Sequence, residues 1–302
     1  MTEDKQHKSG FVNIVGNPNV GKSTLMNRLV GERISIITAK AQTTRHRIIG
    51  IVNTESMQAV YSDTPGVLRP NYKLQASMLN FSESALNDAD VLLYVTDVIE
   101  TIDKNERFIC KVKQTVEREA VPLLLLINKI DLTTQAKLEE ATAAWAEILP
   151  EAEILPIAAL SGFNVDRLKR RVEALLPDSP PYFDKDALTD KPARFFVTEI
   201  IREKILLYYQ KEIPYAVEVG VELFKEEDSL IRIKALIIVE RDSQKGIIIG
   251  NKGQALKKVG STARKDIERF FGKKVFLETF VKVEKDWRNR DAMLKSFGYR
   301  LD

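Results

Sequence analysis

The stretch Gly16 to Ser23, GNPNVGKS, constrains this chain more than any other part of it. It fits the pattern Gly-x-x-x-x-Gly-Lys-Ser/Thr, follows the apolar run FVNIV, and opens a helical stretch at Lys22. A glycine-bounded turn between strand and helix lets backbone N–H groups converge on phosphate oxygens, with the lysine reaching the outer phosphates and the hydroxyl a magnesium ion. Such a loop needs a buried strand before it and a helix after it, and the pattern continues downstream. FVNIVG (11–16), RIIGIVN (47–53), MQAVYSD (57–63), DVLLYVTDV (90–98), PLLLLINK (122–129) and EILPIA (153–158) read as strands. Helices are expected at about 22–30, 74–87, 103–119, 134–148 and 164–176. The alternation predicts an α/β domain with a doubly wound, mostly parallel sheet.

Each further motif sits at the end of an expected strand. The loop itself offers Gly16, Asn17, Pro18, Asn19, Val20, Gly21, Lys22, Ser23 and Thr24 to phosphates. In DTPG (63–66), Asp63 is expected to hold magnesium through water, with Thr64 beside it and the Gly66 N–H facing a γ-phosphate. The polar QTTRHR (42–47) suits a mobile loop in which Thr44, rather than Thr43, completes the metal shell with Ser23 and Asp63. NKID supplies Asn128, Lys129 and Asp131, and the Asp131 carboxylate can accept from guanine N1–H and N2–H₂. Adenine lacks that donor pair, so a site built this way discriminates by ~10⁴-fold or more. IAALSG (157–162) adds Ala158, Ala159 and Leu160. The Ala159 N–H is expected at guanine O6, and the missing hydroxyl at Ala158 is expected to loosen the loop. Lys22, Thr44, Gly66 and Asn19 are the candidate catalytic residues. Asn19 either ligates a potassium ion beside the phosphates or only caps the loop. Val67 stands where small signalling GTPases carry a water-orienting glutamine, which predicts slow intrinsic turnover.

Residues 178–192 read as a linker, with Pro180, Pro181 and Pro192 among several acids, between domains at 8–177 and 193–302. The second domain reads as a helix to about 209, alternating strands at 214–228 and 230–241, two helices around GNKG, and a strand at 274–285. Tyr215, Val217, Val219, Val221 and Leu223 are expected on the buried face, with Glu218 and Glu222 in solvent. Residues 193–302 carry 23 basic and 17 acidic side chains, and 241–274 ten and three, against a whole-chain net charge of only +3. That patch favours a polyanion. Cys110 is the single cysteine, which excludes a disulfide framework, and no apolar run is long enough for a membrane span.

The glycine turn between two helices resembles that of KH RNA-binding domains, which clamp the backbone of about four nucleotides. Gly250, Asn251, Lys252, Gly253, Lys257 and Lys258 are the candidate RNA contacts, with Arg288 from the tail. Trp287 either packs or stacks on a base, packing being favoured. Taken together, QTTRHR, DTPGV, NKID, the proline-rich linker, GIIIGNKG and the ending VKVEKDWRNR…LKSFGY resemble the bacterial Era family of GTPases over residues 8 to about 300. The resemblance implies a P-loop GTPase domain followed by a smaller α+β type II KH domain. It also implies magnesium-dependent GTP hydrolysis, binding of the 3′ end of 16S ribosomal RNA and the 30S subunit, and a role in that subunit's maturation. A cytoplasmic monomer with peripheral association at the inner face of the membrane is implied as well. The turn departs from the family's usual Gly-Lys-Gly-Gly by placing the lysine one position later.

Overall fold

The computed structural model describes residues 7–66 and 69–299. It divides into two compact units, the first running up to Ser35 and continuing through Thr44–Pro70 and Met78–Asp190. The second takes Ile36–Thr43, Asn71–Ser77 and the chain from Lys191.

The first unit is built on six strands: β1 (Lys8–Val15), β2 (Ile48–Asn53), β3 (Met57–Asp63), β4 (Val91–Asp97), β5 (Leu123–Asn128) and β6 (Glu153–Pro156). Their order is β2-β3-β1-β4-β5-β6, with β2 antiparallel to β3 and the other pairs parallel. Every residue of β3, β4 and β5 is buried, so both faces are covered, as their unbroken apolar runs require. The helices are α1 (Lys22–Val30), α2 (Lys73–Asn87, of which Met78 onward belongs to this unit), α3 (Glu106–Glu119), α4 (Gln135–Ile148) and α5 (Val165–Leu175). Phe108 and Val112 of α3 and Trp145 of α4 enter a core with Tyr94, Leu123 and Leu125. Strand order reverses between β1 and β4, and open α/β sheets hold ligands beyond the carboxyl ends of the strands at such a point.

The segment after α5 is laid along the sheet. Ile51 N–H donates to Leu188 O at 2.8 Å, Thr189 Oγ1 to Ile49 O at 2.6 Å, and the buried Gln58 amide accepts from the N–H groups of Tyr182 and Phe183.

The second unit contains α6 (Ala193–Tyr208), α7 (Ile213–Ala216), β7 (Glu218–Glu226), β8 (Leu230–Val239), α8 (Asp242–Ile249), α9 (Gln254–Phe271), β9 (Lys274–Val283) and α10 (Asp291–Ser296). Its sheet runs β7-β8-β9, with β8 antiparallel to β7 and parallel to β9. Val259, Ala263 and Ile267 of α9 recur at helical spacing and pack with Ile231, Ile233, Ala235 and Ile237 of β8.

The alternation expected over 214–228 fails at both ends. Pro214 sits in the first turn of α7, where its fixed φ and missing N–H are tolerated, so the strand starts only at Glu218. A register shift between Val221 and Leu223 then carries Leu223 to the outer face, 45% exposed. Glu218, expected in solvent, is buried and accepts from the Tyr299 hydroxyl at 2.5 Å and from Val219 N–H at 3.0 Å. Trp287 packs, fully buried, its indole N–H donating to Ala216 O at 3.0 Å.

Candidate functional site: a nucleotide site and an RNA-binding turn

The GNPNVGKS loop turns back between β1 and α1. Gly16 has φ 143°, and a Cβ there would lie 2.1 Å from the Val95 carbonyl oxygen, so no other residue fits. Gly66 is required for close approach, since a Cβ would lie 2.7 Å from the backbone of Pro18. Lys22 is buried, and its ammonium donates to Gly16 O at 2.9 Å and Asn17 O at 2.7 Å. Burial is the main influence on this amine and pulls its pKa down to about 8, against smaller upward effects of Asp63 and Glu100.

Three oxygens meet at the mouth of the loop. Ser23 Oγ donates to Asp63 Oδ2 at 2.7 Å and lies 2.9 Å from Thr44 Oγ1, which is itself 3.4 Å from Asp63 Oδ2. Asp63 is fully buried, and burial raises its carboxyl above the usual range. Its Oδ1 has no hydrogen-bond partner, an arrangement that a hard cation taking oxygen ligands would complete. Among the described residues no group of three His, Cys, Asp or Glu side chains could hold a metal. A magnesium site that draws on hydroxyls and phosphate oxygens needs no such group. Thr64 uses its hydroxyl on Ile14 O at 2.8 Å, pinning DTPG to β1. Val67 lies outside the described residues.

Asn128 ties three loops together. Its amide donates to Val20 O at 2.8 Å, and its Oδ1 accepts from Ala159 N–H at 2.9 Å. The Ala159 N–H expected at guanine O6 is therefore engaged by Asn128 in this structure. The backbone around Ala158 is braced by other groups: Gly162 N–H donates to Ala158 O at 2.8 Å, and Arg28 donates to the carbonyls of Ala159 and Leu160. Lys129, at φ 61°, donates to Asn19 O at 2.7 Å and Asp97 Oδ2 at 2.5 Å. Asp131 is exposed, in the turn Ile130–Leu132, and none of the described residues hydrogen-bonds its carboxylate.

Sequence reasoning missed the support behind these loops. Asn17 donates to Glu100 Oε1 at 2.7 Å, Lys104 O at 3.2 Å and Asn105 Oδ1 at 3.1 Å. Asn105, fully buried, also accepts from the Tyr94 hydroxyl at 2.6 Å and donates to Glu100 Oε2 at 3.2 Å. Asp97 Oδ1 accepts from Ile99 N–H and Glu100 N–H, which shapes the segment that carries this network.

In the second unit, the Asn251–Gly253 turn joins α8 to α9. Gly250, Lys252 and Gly253 all have positive φ, at 70°, 48° and 76°. Asn251, Lys252, Lys257 and Lys258 are exposed, and none of the three lysines has an ion-pair partner among the described residues. Arg288 is partly buried, ion-paired with Glu240 and 4.5 Å from the centre of the Tyr72 ring.

A phosphate loop at the switch point of a six-stranded sheet, with the NKID loop beside it, defines a P-loop GTPase fold; the helix–strand–strand–helix–turn–helix–strand unit is a KH fold. Residues 11–129 match the family model described as 50S ribosome-binding GTPase, and 212–288 match the KH domain. The chain is 48% identical to GTPase Era of Geotalea uraniireducens, over 99% of this chain and 100% of the relative. It is 44% identical to that of Staphylococcus haemolyticus, over 100% and 99%. Two solved structures superpose at a TM-score of 0.92 and 39% identity, covering 97% and 98% of this chain and all of theirs. One is a point variant of Aquifex aeolicus Era bound to GDP·AlF₄⁻, the other Era with MgGDPNP and nucleotides 1506–1542 of 16S ribosomal RNA. The chain belongs to the GTPase Era family.

Proposed function

We propose that this chain hydrolyses GTP with magnesium, binds the 3′ end of 16S ribosomal RNA through its KH unit, and assists maturation of the small ribosomal subunit. The observation that carries the reading is the Ser23–Thr44–Asp63 oxygen cluster beside the phosphate loop, with Asp63 Oδ1 buried and unpartnered. Residues Gly16 to Thr24 cradle the phosphates, and Lys22, already held at the loop's carbonyls, neutralises the outer ones. Ser23, Thr44 and Asp63 would hold the magnesium ion, which would supply charge neutralisation at the outer phosphates. The Gly66 N–H faces the γ-phosphate. Asn128, Lys129 and Asp131 with residues 158–160 read the base, and Asn19 would ligate a potassium ion, which would supply positive charge beside the phosphates. Gly250 to Gly253, Lys257 and Lys258 grip the RNA backbone, with Arg288 at the margin.

In this reading residues 8–177 form the GTP-binding domain, 178–192 the linker and 193–302 the RNA-binding domain. The protein works as a cytoplasmic monomer with peripheral attachment to the membrane; no described helix is long and apolar enough to cross one. The test is affinity for a 16S 3′-terminal RNA with GTP analogue, with GDP and without nucleotide, beside scrambled and 23S-derived strands. Preference for the 16S strand that depends on the nucleotide supports the reading. Equal binding of all strands, or no preference for guanine over adenine nucleotides, defeats it. Equal turnover in potassium and sodium buffers removes the potassium role.

A further inference from the structure

The end of α6 leaves two large side chains in water, Leu207 at 47% and Tyr208 at 37% exposure. Two contacts fix their place beside the glycine turn. Tyr209, the next residue, donates its hydroxyl to Ile248 O at 2.7 Å, which ties the end of α6 to the last turn of α8 just before Gly250. From the other side of the turn, Lys258 sets its ammonium 4.3 Å from the centre of the Tyr208 ring. Lys258 lies one turn into α9, ~6 Å along the axis at 1.5 Å per residue. An exposed ring and a cation thus stand together about one helical turn from the phosphate-gripping glycines.

A cation over a ring is not by itself a site, and the same unit supplies the comparison. On the outer face of its sheet, Arg232 lies over Phe276 and Lys234 over Phe280. Those cations are also paired, Arg232 with Glu227 and Lys234 with Glu222, so the face is locally neutral. Lys258 has no carboxylate partner among the described residues, and neither has Lys252 or Lys257. The charge beside Tyr208 is left for an anion, while the ring offers a π-face that any base can use.

We propose that Tyr208, with Lys258 against its ring, is a stacking station for an unpaired base of the RNA strand whose phosphates the GNKG turn holds. The inference rests on the RNA reading of that turn and extends the grip beyond it. Lys258 takes the neighbouring phosphate, and the base lies on the ring face that Lys258 leaves open. Stacking of this kind is tolerant of sequence, so the station adds affinity and register rather than base identity.

The experiment uses the full chain and a 16S 3′-terminal RNA carrying 2-aminopurine at successive positions. Tyr208→Ala should weaken binding about tenfold, as expected for one base–aromatic stack, without changing the salt dependence. Tyr208→Phe, which keeps the ring, should bind like the parent. Lys258→Gln should lower the slope of log K against log salt by about 0.7, the share of one phosphate contact on a single strand. One 2-aminopurine position should be quenched by the parent and by Tyr208→Phe but not by Tyr208→Ala. Parent-like affinity of Tyr208→Ala, or quenching that survives it at every position, overturns the station. Gly253→Asp, run in parallel, separates the two readings. If it abolishes binding while Tyr208→Ala does not, only the station falls; if it binds normally, the turn reading falls and the station with it.

Discussion

Asn105 offers the sharpest test of how the phosphate loop is held. Its side chain accepts from the Tyr94 hydroxyl at 2.6 Å and from Asn17 at 3.1 Å, and it donates to Glu100 and to Thr101 O, each at 3.2 Å. Both Asn105 and Tyr94 are fully buried, so water cannot take over when the amide is removed. In Asn105→Ala the Tyr94 hydroxyl is left unsatisfied, at ~1–3 kcal/mol, and three further hydrogen bonds, with Asn17, Glu100 and Thr101, are lost at ~1 kcal/mol each. The expected destabilisation is ~4–6 kcal/mol. Tyr94→Phe removes one bond and leaves Asn105 Oδ1 its contact with Asn17, which should cost ~1 kcal/mol. In the double variant no orphaned hydroxyl remains, so its loss should fall short of the summed singles by ~1–2 kcal/mol. Urea unfolding at constant m value measures all three. The KM for GTP should rise in Asn105→Ala, because Asn17 loses one of the groups that fix the loop. Additive losses, or a single-variant effect below ~1 kcal/mol, would refute the argument that this network is closed.

Lys22 predicts a pH effect: nucleotide phosphates favour the ammonium form, so binding takes up a proton and affinity should fall about tenfold from pH 7 to 9, readable by calorimetry in two buffers. In the nucleotide-free protein the folded pKa of about 8 lies below the unfolded 10.5, so this residue's penalty on folding is present below pH 8 and relieved as pH rises toward 10.5. Asp131→Asn should weaken GTP binding by ~10²-fold or more and favour xanthosine triphosphate, and an unchanged preference in a competition assay would undo the base-reading role. Gly66→Ala should slow single-turnover hydrolysis, because its Cβ meets Pro18 at 2.7 Å and DTPG must retreat from the phosphate loop; an unaltered rate would contradict that geometry.

The parts legible from sequence were those carried by neighbours in the chain. Gly16 to Ser23, DTPG and NKID are contiguous, and the runs that form β4 and β5 are apolar without interruption. Their sheet and their site followed from local pattern and strand ends. The missed features depend on residues far apart in sequence. Asn105 and Glu100 reach Asn17 across more than 80 positions, and nothing in their local spacing marks them as loop supports. Glu218 was assigned to solvent because alternation takes no account of a cover supplied from elsewhere, here Tyr299 at the far end of the unit. Leu223 was misplaced because a bulge reverses every inward assignment after it. The Gly162 and Arg28 contacts that brace the backbone around Ala158 likewise come from positions that its local spacing does not mark.

The segment laid along β2 has a consequence for the behaviour of the protein in a crowded cell. β2 is an outermost strand, and a bare row of amide and carbonyl groups there would invite another chain to add itself to the sheet. Leu188 O and the Thr189 hydroxyl take up two groups of that row, on Ile51 and Ile49, which leaves less of the border for another chain to pair with. A proline-bearing linker thereby doubles as partial cover for an exposed sheet edge.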